Sequence, residues 1–478
     1  GPAKAADSYL NPAALLSAAM ATGCDGLHPG YGFLSENPEF ADACVENGIT
    51  FIGPSGDAIR KAGSKSAARD LMRAAGVPVT PGSDGPVSSV ADALAVAETV
   101  GYPVLLKASA GGGGRGIRRC DSAKDLPDAY AAAKAEANAC FGNDEMYLEK
   151  LVLEPRHIEF QILADRQGHV IHLGDRDCSI QRRNQKLIEE APARCLTPEL
   201  REEMGRAAVK AAQAVHYEGA GTVEFLLDSD GQHFYFMEMN TRIQVEHGIT
   251  ESRYGIDLVE EQIAVAFGAE LRYNENTFKP GYTAMQVRIN LENPQDNFAP
   301  NSGLITRYVS PGGPGVRLDS NISAGYDFPA NYDSAGALLI AYSHDWEKTL
   351  GIMDRALSEY VIGGVHTTIP FFRQVIKNPD FRNGEISTNF VAQHPELMQY
   401  EDLAAESERL SRLVAEISAK GYNPYVSLGE YRTRETPRLG AFRPHLPVIS
   451  NEERRQENPY PHGDREALLD YIRDSDWV

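Results

Sequence analysis

The sequence predicts an α/β protein in which several subdomains surround a shared site. The chain has 478 residues, about twice the size at which a single core usually stops growing. Residues 1–60 alternate helix-like and strand-like segments, which is typical of an α/β layer. Residues 222–240 carry a hairpin pattern, in which two apolar runs flank the turn sequence Asp228-Ser229-Asp230-Gly231.

Composition and charge exclude several classes of protein. The chain is 42% hydrophobic and 24% charged, as in ordinary globular proteins. No run of about 18 apolar residues is present, so we expect no membrane span. The N-terminus, Gly1-Pro2-Ala3-Lys4, carries no apolar stretch, so we expect no signal peptide. A formal charge of −21 argues against nucleic-acid binding, which needs a basic face. The six cysteines are scattered without a CxxC pair, so we expect reduced thiols and a cytoplasmic location.

The elements follow in order along the chain. The first half gives a helix over Pro12–Met20, a buried strand over Ile49–Pro54, a helix over 64–75 between the cap Ser64 and Gly76, a strand over Val104–Lys107, and strands over 145–163 and 168–175. The hairpin strands are 222–227 and 234–238, and short strands mix with helices over 280–395. The end of the chain gives an amphipathic helix over 402–419, a Pro- and Gly-rich segment over 420–463 and a last helix over Arg465–Arg473.

A glycine-rich loop follows the strand that ends at Lys107. It reads Ala108-Ser109-Ala110-Gly111-Gly112-Gly113-Gly114-Arg115-Gly116. Consecutive glycines let backbone amides approach phosphate oxygens and can flex as a lid, and Lys107 can add a point charge. A Walker loop does not fit, because no Gly-Lys-Ser/Thr follows. A plain flexible loop is the alternative.

Two glutamates of the predicted hairpin, Glu224 and Glu238, fall opposite each other when the turn is centred near residue 230. Like charges facing across strands are destabilising, and a hard cation such as Mg²⁺ would remove that cost. The apolar neighbours Phe225, Phe236 and Met237 favour a sheltered metal site over two exposed glutamates paired with lysines.

Two further segments are dense in polar chemistry. Residues 238–247 hold two acids, an arginine, two amides and a histidine, which is typical of an active-site loop. There, Arg242 could hold a small oxyanion and Glu246 could act as a general base. Residues 175–186 are rich in Arg, Gln and Lys, and composition alone allows either a local anion site or a surface charge run.

Together these motifs resemble the biotin carboxylase family within the ATP-grasp superfamily. Three more segments carry the resemblance: His28-Pro29-Gly30-Tyr31-Gly32-Phe33-Leu34-Ser35-Glu36-Asn37, Phe51-Ile52-Gly53-Pro54 and Glu189-Glu190-Ala191-Pro192. The resemblance runs from residue 1 to about 395. It implies an ATP-grasp fold with four parts: a truncated Rossmann-like N-terminal subdomain (1–60), an ATP-grasp domain (61–279) with its lid at about 83–153, a C-terminal subdomain (280–395) and a linker or docking tail (396–478).

The resemblance also implies the nucleotide site and its metal. It assigns phosphate and ribose binding to Lys65, Lys107, His157, Gln181 and the glycines Gly111, Gly112, Gly113, Gly114 and Gly116, with Asn184 beside them. It assigns the adenine pocket to Glu149, Lys150 and Val152, and Mg²⁺ or Mn²⁺ to Glu224, Glu238 and Asn240.

For the reaction, the resemblance implies that ATP and bicarbonate form carboxyphosphate, which releases CO₂ beside biotin. Lys186, Arg242, Gln244 and Val245 would hold bicarbonate. Glu246 would deprotonate it, the freed phosphate would take the biotin ureido proton, and Arg317 would stabilise the biotin enolate. Fixed positive charge in a sheltered site suits such anionic intermediates. The implied partners are a biotin carboxyl carrier domain, a carboxyltransferase and a second copy of the chain in a homo-oligomer.

The sequence departs from the family pattern at a few positions. The family usually starts with a further segment, so we expect an incomplete N-terminal subdomain. Asn184, Gly248 and Leu338 stand where the family usually has His, Pro and Lys. No biotinylation motif occurs, so the carrier would lie elsewhere. Two alternatives remain open: another ATP-grasp ligase of the carbamoyl-phosphate synthetase type, and an assembly module with a weakened site, which the Leu338 substitution would support.

Overall fold

A computed structural model describes residues 2–63, 65–108, 116–141, 144–274 and 280–400, without the side chains of residues 65, 66, 140 and 141. Its N-terminal part holds α1 (Pro12–Thr22), β1 (Gly26–Leu27), α2 (Pro38–Glu46), β2 (Thr50–Phe51), α3 (Gly56–Gly63) and α4 (Lys65–Ala74). Strands β1 and β2 pair in parallel. The predicted strand over Ile49–Pro54 is therefore shorter than expected, while the predicted helices Pro12–Met20 and 64–75 are present. The proposed cap Ser64 lies outside the described residues.

A separate small sheet forms the next part of the chain. Its elements are α5 (Val90–Val100), β3 (Val104–Ala108), β4 (Ile117–Cys120), α6 (Leu126–Phe141) and β5 (Met146–Lys150), with strand order β4-β3-β5. Its buried side chains form their own cluster, which includes Val104, Leu106, Leu126 and Leu148. We call this unit the lid.

The central part supplies the strands that carry the site. It holds β6 (Arg156–Ala164), β7 (Val170–Arg182), β8 (Gln185–Ala191), α7 (Pro198–Ala214), β9 (Gly219–Leu227), β10 (Phe234–Asn240), α8 (His247–Tyr254) and α9 (Leu258–Ala266). The single strand expected over 145–163 is wrong: β5 and β6 belong to different sheets, and the chain breaks at Glu154, whose φ is 47°, and at Pro155. Strand β7 also runs further than the predicted 168–175.

The C-terminal part mixes short strands with helices, as expected. It holds β11 (Thr283–Asn290), β12 (Glu292–Asn293), β13 (Ala299–Pro300), β14 (Gly303–Leu304), β15 (Arg307–Val309), β16 (Val316–Ser320), β17 (Asp327–Phe328), β18 (Ala335–Ser343), α10 (Trp346–Glu359), β19 (Val361–Gly363), α11 (Ile369–Val375), α12 (Pro379–Asn383) and α13 (Phe390–Gln393). Three 3₁₀ turns lie at Ala5–Asp7, Pro294–Asp296 and Pro395–Met398. The helices and segments predicted beyond residue 400 lie outside the described residues.

One eight-stranded sheet joins the central and C-terminal parts. Its order is β10-β9-β6-β7-β8-β11-β18-β16, with antiparallel pairing throughout. The apolar side of β6 packs against α7 through Phe160 and its neighbours. Each fully buried phenylalanine of this kind contributes roughly 2–3 kcal/mol. Among the described helices, none is both long and apolar enough to cross a bilayer.

Side-chain caps explain where several helices begin. Asn11 accepts a hydrogen bond from the amide of Ala14, and Thr197 does the same for Leu200 at the start of α7. At the C-terminus of α1, Gly23 takes the left-handed conformation with a φ of 67°. Such local signals are readable in the sequence, although of these two helices only α1 was predicted.

Candidate active site

Polar side chains of the central strands collect on one side of the large sheet, where they hydrogen-bond to one another. On β6, β9 and β11 these residues alternate with apolar ones. We call this side the polar face. Its members are His157, Glu159 and Gln161 on β6, Arg176 on β7, Lys186 and Glu189 on β8, Thr222 and Glu224 on β9, and Gln286 and Arg288 on β11. Most of these side chains are buried.

Lys186 lies at the centre of the polar face and binds three carboxylates. Its Nζ donates to Glu159 Oε2 at 2.5 Å, to Glu246 Oε1 at 2.7 Å and to Glu224 Oε1 at 2.8 Å. These three bonds use every donor of the ammonium group. Burial disfavours the charged amine, but the carboxylates outweigh burial and raise the pKa of Lys186 well above its usual value. The lysine is therefore a fixed cation.

The glutamate pair predicted from the hairpin is present. Glu238 on β10 lies in register with Glu224 on β9, after a bulge between Phe236 and Glu238. Glu224 Oε1 also accepts hydrogen bonds from Asn240 Nδ2 at 3.0 Å and Gln244 Nε2 at 2.7 Å. Burial favours the neutral acid, but Lys186 and His157 hold the pKa of Glu224 well below its usual value.

His157 faces the other oxygen of Glu224. Its Nε2 lies 2.8 Å from Glu224 Oε2, an ion-pair distance without the alignment of a hydrogen bond. Burial lowers the pKa of the imidazole, but the charge of Glu224 outweighs burial and raises it above the usual value. His157, Glu159 and Glu224 also place three potential metal ligands within 4.8 Å of one another. Because Lys186 already occupies their common side, the cation that joins Glu159 to Glu224 is the ammonium group.

Glu246 sits between two cations. Its Oε1 accepts from Lys186 and its Oε2 accepts from Arg288 at 2.9 Å. Arg288 also donates to Glu189 at 2.7 Å. Burial acts in the opposite direction, yet Lys186 and Arg288 hold the pKa of Glu246 well below its usual value. The carboxylate form needed for a general base is therefore the stable one.

Arg242 and Gln244 flank this cluster. Arg242 Nε donates to Glu36 Oε2 at 3.0 Å, and its Nη2 donates to Asn240 Oδ1 at 3.0 Å. Glu36 Oε1 also accepts from the amide of Thr241 at 3.1 Å, so a loop of the N-terminal part orients the arginine. Val245 is half-buried on the same loop.

The predicted nucleotide residues fall mainly on the lid. Lys107 and Glu149 form an ion pair between the neighbouring strands β3 and β5. Lys150 Nζ lies 3.4 Å from the carbonyl oxygen of Val100, and Val152 is buried. Gly116 has a φ of 71°, and an added Cβ would come within 2.8 Å of Ala108 Cβ, so glycine suits this turn. Gly111, Gly112, Gly113, Gly114 and the side chain of Lys65 lie outside the described residues.

The segment 175–186 proves to be part strand and part turn. Residues up to Arg182 extend β7, and Gln181 lies in register with Lys186 on β8. Arg183 and Asn184 form the hairpin tip with positive φ values of 50° and 64°. Asn184 is thus exposed at the tip, whereas Gln181 is buried next to the cluster.

Arg317 lies apart from Glu246 on the edge strand β16. Its guanidinium binds Asp319 and donates to Glu251 Oε2 at 2.7 Å. Leu338 lies on β18 in register with both Arg288 and Asp319. The position that departs from the family pattern therefore adjoins a cation that the sequence reasoning did not select.

Sequence reasoning missed several residues of the polar face, namely Glu159, Arg176, Glu189 and Arg288, as well as Glu36. For Glu159 and Arg288 a signal existed in their alternation with apolar residues, as in His157-Ile158-Glu159-Phe160-Gln161 and Gln286-Val287-Arg288-Ile289. In a strand this spacing places every polar side chain on the same face. Arg176, between Asp175 and Asp177, and Glu189, beside Glu190, show no such alternation.

Three family profiles match the chain in order. They are described as the biotin carboxylase N-terminal domain (residues 1–59), the carbamoyl-phosphate synthase L chain ATP-binding domain (64–274) and the biotin carboxylase C-terminal domain (286–393). Similar curated proteins include the biotin carboxylase of Nostoc sp., 52% identical over 391 residues that cover 82% of this chain and 87% of the relative. Another is the 2-oxoglutarate carboxylase small subunit of Hydrogenobacter thermophilus, 48% identical over 413 residues, covering 86% of each chain.

Solved structures agree with these matches. The biotin carboxylase domain dimer of 2-oxoglutarate carboxylase from Hydrogenobacter thermophilus, in complex with MgADP, ADP and bicarbonate, is 48% identical with a TM-score of 0.77, covering 82% of this chain and 87% of that one. The biotin carboxylase subunit of a pyruvate carboxylase is 47% identical with a TM-score of 0.74, covering 84% and 89%. The ATP-grasp fold predicted from the motifs is confirmed, and the chain belongs to the biotin carboxylase family.

Proposed function

We propose that this chain is an ADP-forming ligase that carboxylates biotin on a carrier domain, using MgATP and bicarbonate. The observation that carries the proposal is the ionised, buried Glu246 between Lys186 and Arg288, next to Arg242 and Gln244. Bicarbonate must lose a proton before it attacks the γ-phosphate, and a base must be ionised to accept that proton. The family membership agrees with this chemistry.

In this proposal the cationic side chains hold bicarbonate and Glu246 takes its proton. Lys186 and Arg242 supply fixed positive charge, and Gln244 supplies an amide. When substrate draws Lys186 away from Glu246, the carboxylate loses part of the charge that keeps its pKa low, so it becomes a stronger base. Lys107, His157, Gln181 and the lid would bind ATP, with Glu149, Lys150 and Val152 at the adenine.

Glu224, Glu238 and Asn240 would hold the Mg²⁺ that accompanies ATP. Their fit rests on the register of Glu224 with Glu238 and on the oxygen-rich donor set. When bound, the ion neutralises phosphate charge.

For the enolate of biotin we propose Arg288 as the stabilising cation in place of Arg317. Arg288 contacts Glu246, whereas Arg317 is held by Asp319 and Glu251. Arg288→Lys should lower kcat of biotin-dependent ATP hydrolysis by about 100-fold, and Arg317→Lys by less than about tenfold. The reverse order would return the role to Arg317.

The partners proposed for the chain are a biotin carrier domain, a carboxyltransferase and a second copy of itself. The relatives support this, because one of them is named as the small subunit of 2-oxoglutarate carboxylase and one solved structure is described as a domain dimer. The relatives are named as parts of different carboxylases, including pyruvate carboxylase and 2-oxoglutarate carboxylase. We therefore propose carboxybiotin as the product and assign no final carboxyl acceptor. A cytoplasmic location is also proposed, supported by the free thiols of Cys24, Cys44, Cys120, Cys178 and Cys195.

The test is ATP hydrolysis by the full chain with free biotin as the acceptor. We expect turnover that requires both bicarbonate and biotin. Hydrolysis that requires ammonia or glutamine instead would favour a synthetase of the carbamoyl-phosphate type. A folded chain that hydrolyses no ATP under either condition would favour an assembly module.

A further inference from the structure

Arg176 on β7 is fully buried beneath the cluster of Lys186 and Glu246. Its guanidinium uses all five of its N–H donors. The acceptors are Glu159 Oε1 (2.5 Å), Gln161 Oε1 (2.7 Å), Gln244 Oε1 (2.8 Å), Thr250 Oγ1 (3.0 Å) and Thr222 Oγ1 (3.2 Å). These acceptors come from β6, β9, α8 and the loop after β10, so one side chain fixes four segments of the site.

Two of these contacts orient groups that adjoin Glu224 and Lys186. Arg176 binds the oxygen of the Gln244 amide, which leaves the Gln244 Nε2 pointing at Glu224, 2.7 Å away. It also binds one oxygen of Glu159 and so leaves the second oxygen for Lys186. Since Arg176 has donors only, the Gln244 amide cannot flip without placing its NH₂ group against a cation.

The contact with Thr250 acts on the general base. Thr250 lies in α8, one turn after Glu246, which directly precedes this helix. Holding Thr250 from β7 fixes the start of α8, and hence the Glu246 backbone, against the sheet. The charge of Arg176 also helps the nearer cations, against the effect of burial, to keep the pKa of Glu246 low.

We propose that Arg176 is the positioning residue for bicarbonate, acting through Gln244, Glu159 and α8 without touching the substrate. The proposal rests on the proposed function, because it assigns bicarbonate to Gln244 and Lys186. The proposal predicts an effect on bicarbonate binding alone. Loss of the five guanidinium hydrogen bonds misplaces Gln244 and Lys186, while the nucleotide contacts on the lid stay in place.

The experiment compares Arg176→Lys and Arg176→Gln with a matched control, Arg201→Lys, in the full chain. Arg201, in α7, donates to Asp175, the residue that directly precedes Arg176 in β7. Asp175 therefore points to the opposite face of the sheet from Arg176. Bicarbonate- and biotin-dependent ATP hydrolysis gives separate KM values for bicarbonate and MgATP, and thermal unfolding reports on the fold. Turnover by the unsubstituted chain tests the proposed function first.

We expect Arg176→Lys to raise KM for bicarbonate about tenfold and KM for MgATP less than about twofold, because only the fork is lost. Arg176→Gln should raise KM for bicarbonate further, and Arg201→Lys should lower Tm with both KM values unchanged. Equal changes in both KM values, or a lower Tm alone, would overturn the proposal.

If neither Arg176 variant folds, Thr222→Val decides the question. Arg176 Nη2 donates to both Thr222 Oγ1 and Gln244 Oε1. Thr222→Val removes the first of these acceptors and keeps the shape of the side chain. We expect KM for bicarbonate to rise roughly threefold at an unchanged KM for MgATP. An unchanged KM for bicarbonate in a folded Thr222→Val protein would contradict the positioning role.

Discussion

At the scale of single residues, the contact of Glu36 with Arg242 joins positions 206 residues apart in the chain. Glu36→Gln keeps the shape but removes the charge that holds the guanidinium. We expect KM for bicarbonate to rise about tenfold with a small change in KM for MgATP. The matched control is Glu39→Gln in the first turn of α2, three residues further along the chain, since Glu39 Oε1 lies 3.7 Å from Arg60 Nη2 and forms no described ion pair with Arg242. Equal effects of both substitutions would contradict a specific role for Glu36.

His157 gives the fold a dependence on pH. Its pKa is raised in the folded state, after burial is outweighed by Glu224, so the folded protein binds the proton more tightly than the unfolded chain. The stabilisation is fully present below the ordinary histidine value of about 6.5 and is lost as pH rises through the folded pKa. Denaturant unfolding should show a larger difference in free energy between the unsubstituted chain and His157→Gln at about pH 6 than at about pH 9. A difference that grows with pH would contradict this account.

Single residues also mark how far the sequence leads. The turn sequence predicts that Glu224 and Glu238 lie roughly across from each other, and the structure brings them into register through a bulge between Phe236 and Glu238 that the turn does not predict. Arg288 could not be selected, because alternation in a strand shows that residues share a face without showing which face is buried. Arg176 lies between Asp175 and Asp177, so composition alone could not distinguish it from a surface charge run. Arg317 binds Asp319 on its own strand and Glu251 on α8. The contact with Glu251 is created by the tertiary fold and cannot be read from the local sequence.

At the scale of elements, the hairpin of β7 and β8 turns through two residues with positive φ, Arg183 and Asn184. A β-branched side chain is disfavoured in this conformation. Asn184→Val should lower the free energy of unfolding by about 1–2 kcal/mol, and Asn184→Gly should change it by less than about 0.5 kcal/mol. Urea unfolding measures both. Equal destabilisation by the two variants would show that the asparagine side chain, not the backbone, stabilises the turn.

Elements were predicted where local chemistry defines them. The predicted helices over Pro12–Met20 and 64–75 and the hairpin over 222–238 agree with the structure. The division of 145–163 into β5 and β6 was missed, although Pro155 marks the break in the sequence. Which sheet each half joins depends on pairing with distant strands. The sequence also did not predict that one antiparallel sheet joins the two sides of the expected domain boundary at residue 280. This continuity depends on pairing between distant segments, such as β8 with β11.

At the scale of the whole molecule, Arg194 links the central sheet to the C-terminal part. It binds Glu190 through two hydrogen bonds of 2.8 Å, donates to the carbonyls of Phe381 and Arg382, and stacks 4.2 Å from the ring of Trp346. Arg194→Lys loses this fork and should lower the free energy of unfolding by about 2–3 kcal/mol.

Hydrogen exchange should place the effect of Arg194→Lys in residues 379–398. The control is Arg206→Lys, because Arg206 is exposed and pairs only with Glu202 among the described ion pairs. We expect this control to leave stability and exchange unchanged. Faster exchange spread evenly over the sheet would instead show that Arg194 supports the whole molecule.

The lid has a sheet and a core of its own, and this has a mechanical consequence. A unit whose apolar contacts are internal can rotate as a rigid body, so opening exposes little hydrophobic surface and adds little heat capacity. In the eight-stranded sheet, by contrast, Lys186 and Arg288 lie on the neighbouring strands β8 and β11, so the two cations that bind Glu246 keep their relative positions while the lid rotates. Release of the products would then depend on rotation of the lid relative to the sheet. A crosslink between the lid and the sheet would slow release without altering the chemical step.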